Sequence, residues 1–316
     1  MVQQLAIATQ GLTKQFDRHV AVHDVDLQIN VGEVYGLIGP NGAGKTTLIR
    51  MLAAAEEPTL GEIYINGDRL LRGQDEPHLK RQIGYLPDDF PLYDDLSVWD
   101  YLDYFARLYK LRNPRRRERL SDVLELVQLS HKRHSQIATL SRGMKQRLSL
   151  ARTIIHEPPV LLLDEPVSGL DPIARMQFRE IIKTLQEAKM TILISSHVLS
   201  DLAELCSSIG IMELGYLVES TDLHHLYQRL SRQQILLTTL GSVTELQAEL
   251  RTCPQVEDIE ILPDGHRIRA IFSGEPSAAA DLLRSLIQAN IPLTEFQPLR
   301  EDLESIFLKL GHKQAS

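Results

Sequence analysis

Gly39-Pro40-Asn41-Gly42-Ala43-Gly44-Lys45-Thr46 spells a complete G-x-x-x-x-G-K-[ST] run. It sits between an apolar strand-like segment, Val34 to Ile38, and an apolar helix-like segment, Leu48 to Ala55. Strand, glycine-rich turn and helix, in that order, are what a triphosphate cradle needs. The glycines let successive backbone N–H groups converge on phosphate oxygens, and the helix start adds partial positive charge. Lys45 reaches the β- and γ-phosphates, and Thr46 offers a hydroxyl to magnesium. The stretch therefore predicts nucleoside triphosphate binding by Gly39, Pro40, Asn41, Gly42, Ala43, Gly44, Lys45, Thr46 and the following Thr47.

Downstream, the buried-looking run Val160-Leu161-Leu162-Leu163 ends in Asp164-Glu165-Pro166. A carboxylate pair at the mouth of a parallel strand suits phosphoryl transfer, with one anion on Mg2+ and its neighbour orienting the attacking water. Asp164 is assigned to the metal and Glu165 to the water. Taken alone, Asp-Glu-Pro would simply end a core strand with solvated charges; the phosphate loop upstream gives the pair its meaning. Between the two lies Leu140-Ser141-Arg142-Gly143-Met144-Lys145-Gln146-Arg147, which opens a helix. Ser141 is a good N-cap, so the free N–H groups of that first turn form a second anion site.

The wider pattern is α/β. Leu5 to Leu12 and Ala21 to Ile29 alternate as strands, Gly61 to Gly67 reads as a short strand ending in a turn, and Ile83 to Leu86 as a strand running into Pro87. From Val98 to about Ser135 the periodicity is helical, an insertion placed at about 90–150. Val160 to Leu163 and Thr191 to Ser195 are continuous apolar runs, as in buried parallel sheets.

The chain has 316 residues, 43% of them hydrophobic, which is ample for a large α/β domain and a smaller one. A net charge of -8 argues against an electrostatic footprint for nucleic acid. Cys206 and Cys253 lack metal-ligand spacing and read as reduced thiols of a cytosolic protein. Neither a secretory signal nor an apolar stretch of about 18 residues is visible, so the chain is expected to be soluble, with any membrane role exerted through a partner.

In their order, the phosphate loop at 39–46, the helix start at 140–147, the Asp164-Glu165 strand end, the Ser168-Gly169-Leu170-Asp171 loop and His197 after a strand resemble the ATP-binding cassette (ABC) family. The likeness covers roughly residues 5–220. It implies a P-loop NTPase fold with an antiparallel β subdomain and a helical insertion. It further implies that Phe16 stacks on adenine, that His197 contacts the γ-phosphate, and that Ser141 and Gly143 cap the nucleotide held by another cassette. Asp171 would face that second cassette, and the active unit would be a head-to-tail dimer, of identical or paralogous chains.

Two departures stand out. The family commonly has glutamine after the Tyr-Leu-Pro strand end, where this chain has Asp88, so its role as a magnesium contact is open. Arg142 replaces the first glycine of the family's Leu-Ser-Gly-Gly-Gln, and Met144 its glutamine, while Ser141 and the unobstructed backbone of Gly143 are retained.

Beyond residue 220 the order β-α-β-β-α-β predicts a small ferredoxin-like α+β domain, 221–316, with a last strand stopping at Pro298 and an amphipathic helix over Asp302 to Leu310. The basic run Arg112, Arg115, Arg116, Arg117 and Arg119 reads as a solvated face, since no aromatic residues alternate with it. The resemblance implies the ATPase subunit of an export transporter, peripheral on the cytoplasmic face of the cell membrane beside a separate permease, with no nucleic acid partner. The other reading is a permease-free cassette ATPase acting on ribosomes or DNA, but the two cassettes, zinc insertions or long coiled coils of such proteins are not visible here.

Overall fold

The computed structural model describes residues 4–71, 77–89, 91–223, 225–226, 233–263, 265–274 and 276–299. The chain divides into two compact units, Met1–Leu223 and His224–Ser316.

The first unit holds two sheets. β1 (Leu5–Phe16), β2 (His19–Val25) and β3 (Gln28–Asn30) belong to the antiparallel one; β4 (Val34–Ile38) and α1 (Lys45–Leu52) do not, and β5 (Leu60–Ile65) and β6 (Asp68–Arg69) return to it. Its order is β2-β1-β5-β6, with β3 also on β1. After α2 (Pro77–Arg81), β7 (Ile83–Leu86) joins the second sheet, as do β8 (Val160–Leu163), β9 (Thr191–Ser196), β10 (Ser208–Glu213) and β11 (Tyr216–Asp222). The order there is β11-β10-β4-β9-β8-β7, and every pair is parallel except the β10–β11 hairpin. Every residue of β4, β8 and β9 is buried, which is why these strands read as unbroken apolar runs. One core joins Leu12, Ile29 and Ile65 of the antiparallel sheet, Leu37, Leu162 and Leu193 of the parallel sheet, and Leu48 and Leu52 of α1. The phosphate-loop helix is thereby fixed between the two sheets.

The insertion contains α3 (Val98–Leu108) and α4 (Arg115–Leu126) and leads into α5 (Arg142–Ile154). Ser97 caps α3 by accepting from Asp100 N at 3.1 Å. The basic run is not simply a solvated face. Arg116 Nε pairs with Asp103 at 2.8 Å, Arg115 with Glu157 at 2.6 Å, and Arg119 Nη2 donates to Ile154 O at 2.7 Å. Three of the five arginines therefore staple α4 to α3 and to the end of α5. α6 (Pro172–Glu187) and α7 (Leu199–Ala203) complete the unit.

The second unit runs β12 (Gln233–Thr239), α8 (Val243–Leu250), β13 (Val256–Ile261), β14 (Arg267–Phe272), α9 (Pro276–Gln288) and β15 (Leu293–Leu299). Its sheet order is β13-β14-β12-β15, antiparallel throughout, so each β-α-β unit is split by an intervening strand. Ile235, Leu237, Ile268 and Phe272 on the strands pack with Leu246, Leu250, Leu282 and Leu286 on the helices. The last strand does not stop at Pro298: it continues to Leu299, with Pro298 opposite Ile235. An edge strand tolerates proline because the missing N–H is not needed on its outer side. The helix expected over 302–310 lies outside the described residues.

Candidate nucleotide site

The loop leaving β4 turns through Gly42 and Gly44, with φ of 83° and 102°. Gly44 caps α1, and a Cβ there would stand 2.3 Å from Ala21 O of β2, so the turn must be glycine. The loop closes on Ala43 N donating to Pro40 O at 3.1 Å, with Pro40 and Asn41 exposed and Thr46 and Thr47 half-buried in the first turn. Lys45 is only 5% exposed. Its Nζ donates to Gly39 O at 2.7 Å and Pro40 O at 3.2 Å, and lies 3.4 Å from Glu165 Oε1.

The parallel register brings the remaining groups to the same end of the sheet. β8 lies beside β9 with Leu163 opposite Ile194, so the residues just after each pair meet. Ser195 Oγ donates to Asp164 Oδ1 at 2.7 Å and accepts from Glu165 N at 2.9 Å. His197 Nδ1 is hydrogen-bonded to Glu165 Oε2 at 2.8 Å. Glu165 has φ of 48°, a left-handed backbone uncommon for a side chain of its size, so its geometry is held by these neighbours. Lys45, the Asp164-Glu165 pair and His197, far apart in sequence, form one cluster.

Burial pushes the Asp164 carboxyl above the ordinary carboxylate range; the Ser195 and Thr46 hydroxyls pull it back down, Glu165 raises it and Lys45 lowers it. Asp164 Oδ2 is buried without a hydrogen-bond partner among the described residues. Asp88 follows β7, which pairs with β8 in parallel, and its carboxyl is also raised, by burial first and then by Asp164, Glu165 and Asp89, with Arg142 opposing. Three carboxylates therefore share the negative potential of this sheet edge.

Other predicted residues lie apart. Ser141 caps α5 by accepting from Met144 N at 3.3 Å, and no hydrogen bond or ion pair among the described residues links Ser141 or Gly143 to the phosphate loop. A Cβ on Gly143 would meet Ala174 Cβ of α6 at 2.7 Å, so glycine here also lets α5 pack closely on α6. Asp171 caps α6 by accepting from Ala174 N at 2.9 Å. Phe16 ends β1 with its ring 43% exposed and Lys14 Nζ 4.7 Å from the ring centre, on the hairpin whose second strand supports Gly44. Ser195 carried no signal in the sequence, being one hydroxyl in a buried run. Nor did Arg175, whose Nε donates to Leu170 O at 3.2 Å while Nη1 reaches the buried Asp201 at 3.4 Å.

The family model described as ABC transporter matches residues 22–168, which include the phosphate loop, the α5 start and Asp164-Glu165. The ABC transporter ATP-binding protein YxlF of Bacillus subtilis is 34% identical over 307 residues, 97% of this chain and 99% of the relative. This chain belongs to the ABC transporter ATP-binding proteins. It is an ATPase of that family, with a P-loop NTPase fold. The bacitracin transport ATP-binding protein BcrA of Bacillus licheniformis is 32% identical over 305 residues, 96% of each chain. A bacterial ABC transporter cassette solved as a dimer is 26% identical, with a TM-score of 0.63 over 69% of this chain and 98% of that one.

Proposed function

We propose that this cassette powers an export transporter, working as one of two facing cassettes on the cytoplasmic side of a membrane beside a separate permease. The observation that carries the reading is the Lys45–Glu165–His197 cluster at the mouth of the phosphate loop. A relative named for bacitracin transport and a related cassette solved as a dimer support the export and the pairing. No described helix is long and apolar enough to cross a membrane, which leaves the transport path to a partner. The cassette expected over 1–220, extended to Leu223 by the end of β11, and an accessory domain after it, expected over 221–316, that supports dimerisation or regulation complete the proposal.

Within one site, the phosphate-loop N–H groups and the Lys45 ammonium bind the β- and γ-phosphates. Lys45 exchanges its contact with Glu165 for phosphate oxygens, which leaves the Glu165 carboxylate free to take a proton from the attacking water. His197 keeps that carboxylate oriented and faces the γ-phosphate. The orphaned Asp164 Oδ2 and the nearby Thr46 hydroxyl are hard oxygen donors that would hold Mg2+, and Asp88 would be a further carboxylate within its reach at the same sheet edge. When bound, the ion neutralises charge on the phosphates. Phe16 stacks on adenine, while Ser141 and the first turn of α5 cap the nucleotide held by the facing cassette, where they do not compete with this chain's own loop.

Glu165→Gln should lower turnover by roughly 10²–10⁴ with ATP binding intact, and normal hydrolysis would dismiss Glu165 as the base. Lys45→Ala should instead weaken nucleotide binding itself; unchanged affinity in a fluorescent-nucleotide titration would refute the phosphate-loop assignment.

A further inference from the structure

Asp88 and Arg142, the two positions where this chain carries charges unusual for the motifs around them, line one groove. Its volume is about 490 Å³; the segment after β7 contributes Asp88, Asp89 and Asp94, and the start of α5 contributes Leu140, Arg142 and Lys145. Lys145 Nζ already spans it, bonding Asp94 Oδ1 at 2.9 Å. Asp88 and Arg142 stand on opposite walls of this groove, and among the charges around Asp88 the guanidinium is the cation that opposes Asp164, Glu165 and Asp89.

The Arg142 guanidinium also reaches the loop that follows Glu165. Its Nη2 donates to Ser168 O at 3.1 Å, and both Nη atoms lie 2.6 Å from where a Cβ on Gly169 would stand. Ser168 N in turn donates to Glu165 O at 3.1 Å. Glu165 is thus fixed on both sides of its left-handed backbone: Ser195 accepts from its N–H, and Ser168, held by Arg142, donates to its carbonyl. Exposed arginines are seldom worth ordering for a single ion pair. Here one guanidinium links the groove that Asp88 lines to the Ser168 turn, and through that turn to Glu165 with its partners Lys45 and His197.

We propose that Arg142 is a positioning residue for Glu165, acting through Ser168, and that Asp88, in the same groove, is the counter-charge that balances its guanidinium. The proposal rests on Glu165 being the water-orienting group. It makes Asp88 and Arg142 a matched pair: each charge is tolerated because the other is present. Removing one leaves either an unpaired cation beside the loop or an extra carboxylate beside Asp164 and Glu165.

The test is a double-mutant cycle on the full-length chain, with steady-state ATPase kinetics, affinity for a fluorescent ATP analogue and the melting temperature measured together. Arg142→Gly should lower kcat about tenfold, the scale of one charge-assisted hydrogen bond, with KM and melting temperature little changed. Arg142→Lys, which keeps a cation and a donor, should recover kcat to within about threefold of the parent. The double variant Asp88→Gln/Arg142→Gly should be at least about fivefold faster than the product of the two single effects, because neither charge is then stranded. A kcat for Arg142→Gly within twofold of the parent, a parallel fall of affinity and melting temperature, or strictly multiplicative single effects would each overturn the pairing. Glu165→Gln in the same series separates the two levels. If it hydrolyses ATP normally, the assignment of Glu165 falls and takes this proposal with it; if it loses turnover while Arg142→Gly keeps a kcat within twofold of the parent, the proposal alone falls.

Discussion

Deleting one hydroxyl, with Ser195→Ala, asks whether β9 holds the catalytic end of β8. Ser195 is 0% exposed, and its Oγ both donates to Asp164 Oδ1 at 2.7 Å and accepts from Glu165 N at 2.9 Å. Alanine removes a charge-assisted bond, about 1.5–3 kcal/mol, and strands a partly buried amide N–H, about 1–3 kcal/mol. Relaxation of the strand end makes the two losses overlap, so the expected cost to cassette stability is about 2–4 kcal/mol. With its N–H untethered, Glu165 can leave the left-handed conformation that aims its carboxylate at Lys45 and His197, and kcat should fall by about tenfold or more. Acidity should move as well: the Ser195 bond lowers the Asp164 carboxyl, so without it that group protonates at higher pH and the acid limb of the pH–rate profile shifts upward. The sole tryptophan, Trp99, sits in α3 of the first unit, so urea unfolding followed by its fluorescence reports on the cassette without the second unit. An unchanged unfolding midpoint together with a kcat within twofold of the parent would refute the reasoning.

Two further perturbations probe other contacts. Gly169→Ala places a Cβ at φ of 65° and against the Arg142 guanidinium; it should cost about 1–2 kcal/mol and slow hydrolysis with ATP affinity largely kept, as nucleotide titration beside turnover would show. His156 stacks on Tyr109 with ring centres 3.9 Å apart, and burial, opposed by its bond to Ile83 O and assisted by Arg119 and Arg81, pushes its pKa down to about 4. The unfolded chain therefore binds the extra proton first, so this stability is complete above the ordinary histidine pKa of about 6.5 and is lost as pH falls toward 4. Discounted for partial solvent access, the loss is about 2 kcal/mol. His156→Phe keeps the stack but cannot protonate, so unfolding midpoints at several pH values should flatten over that window; an unchanged slope would discard the assignment.

Legibility followed burial. Val34–Ile38, Ile83–Leu86 and Val160–Leu163 are strands with the bounds that the sequence predicts, because strands covered on both faces show as apolar blocks and end where polarity resumes. The phosphate loop was readable because its backbone geometry demands glycines at fixed spacing, and the Ser141 cap because a short side chain serves its own helix. Contacts set by topology were not readable. Ser195 matters only because β9 packs beside β8, and Arg175 only because α6 lies next to α7's Asp201. The basic run misled for the same reason: the acids at 103 and 157 that neutralise it are brought near by helix packing, whereas sequence shows only a string of like charges.

The placement of β4 at the middle of its sheet has a consequence for biosynthesis. Its two flanking strands begin only at Thr191 and Ser208, while β4 itself ends at Ile38. A ribosome adding roughly 5–20 residues per second leaves this greasy segment without lateral partners for about 10–30 s. During that interval the nascent chain exposes a sticky, unsheltered ribbon, and the ATP pocket cannot assemble before most of the first unit has emerged. Truncated translation products ending before Thr191 should therefore engage chaperones and fail to retain nucleotide, whatever motifs they already contain.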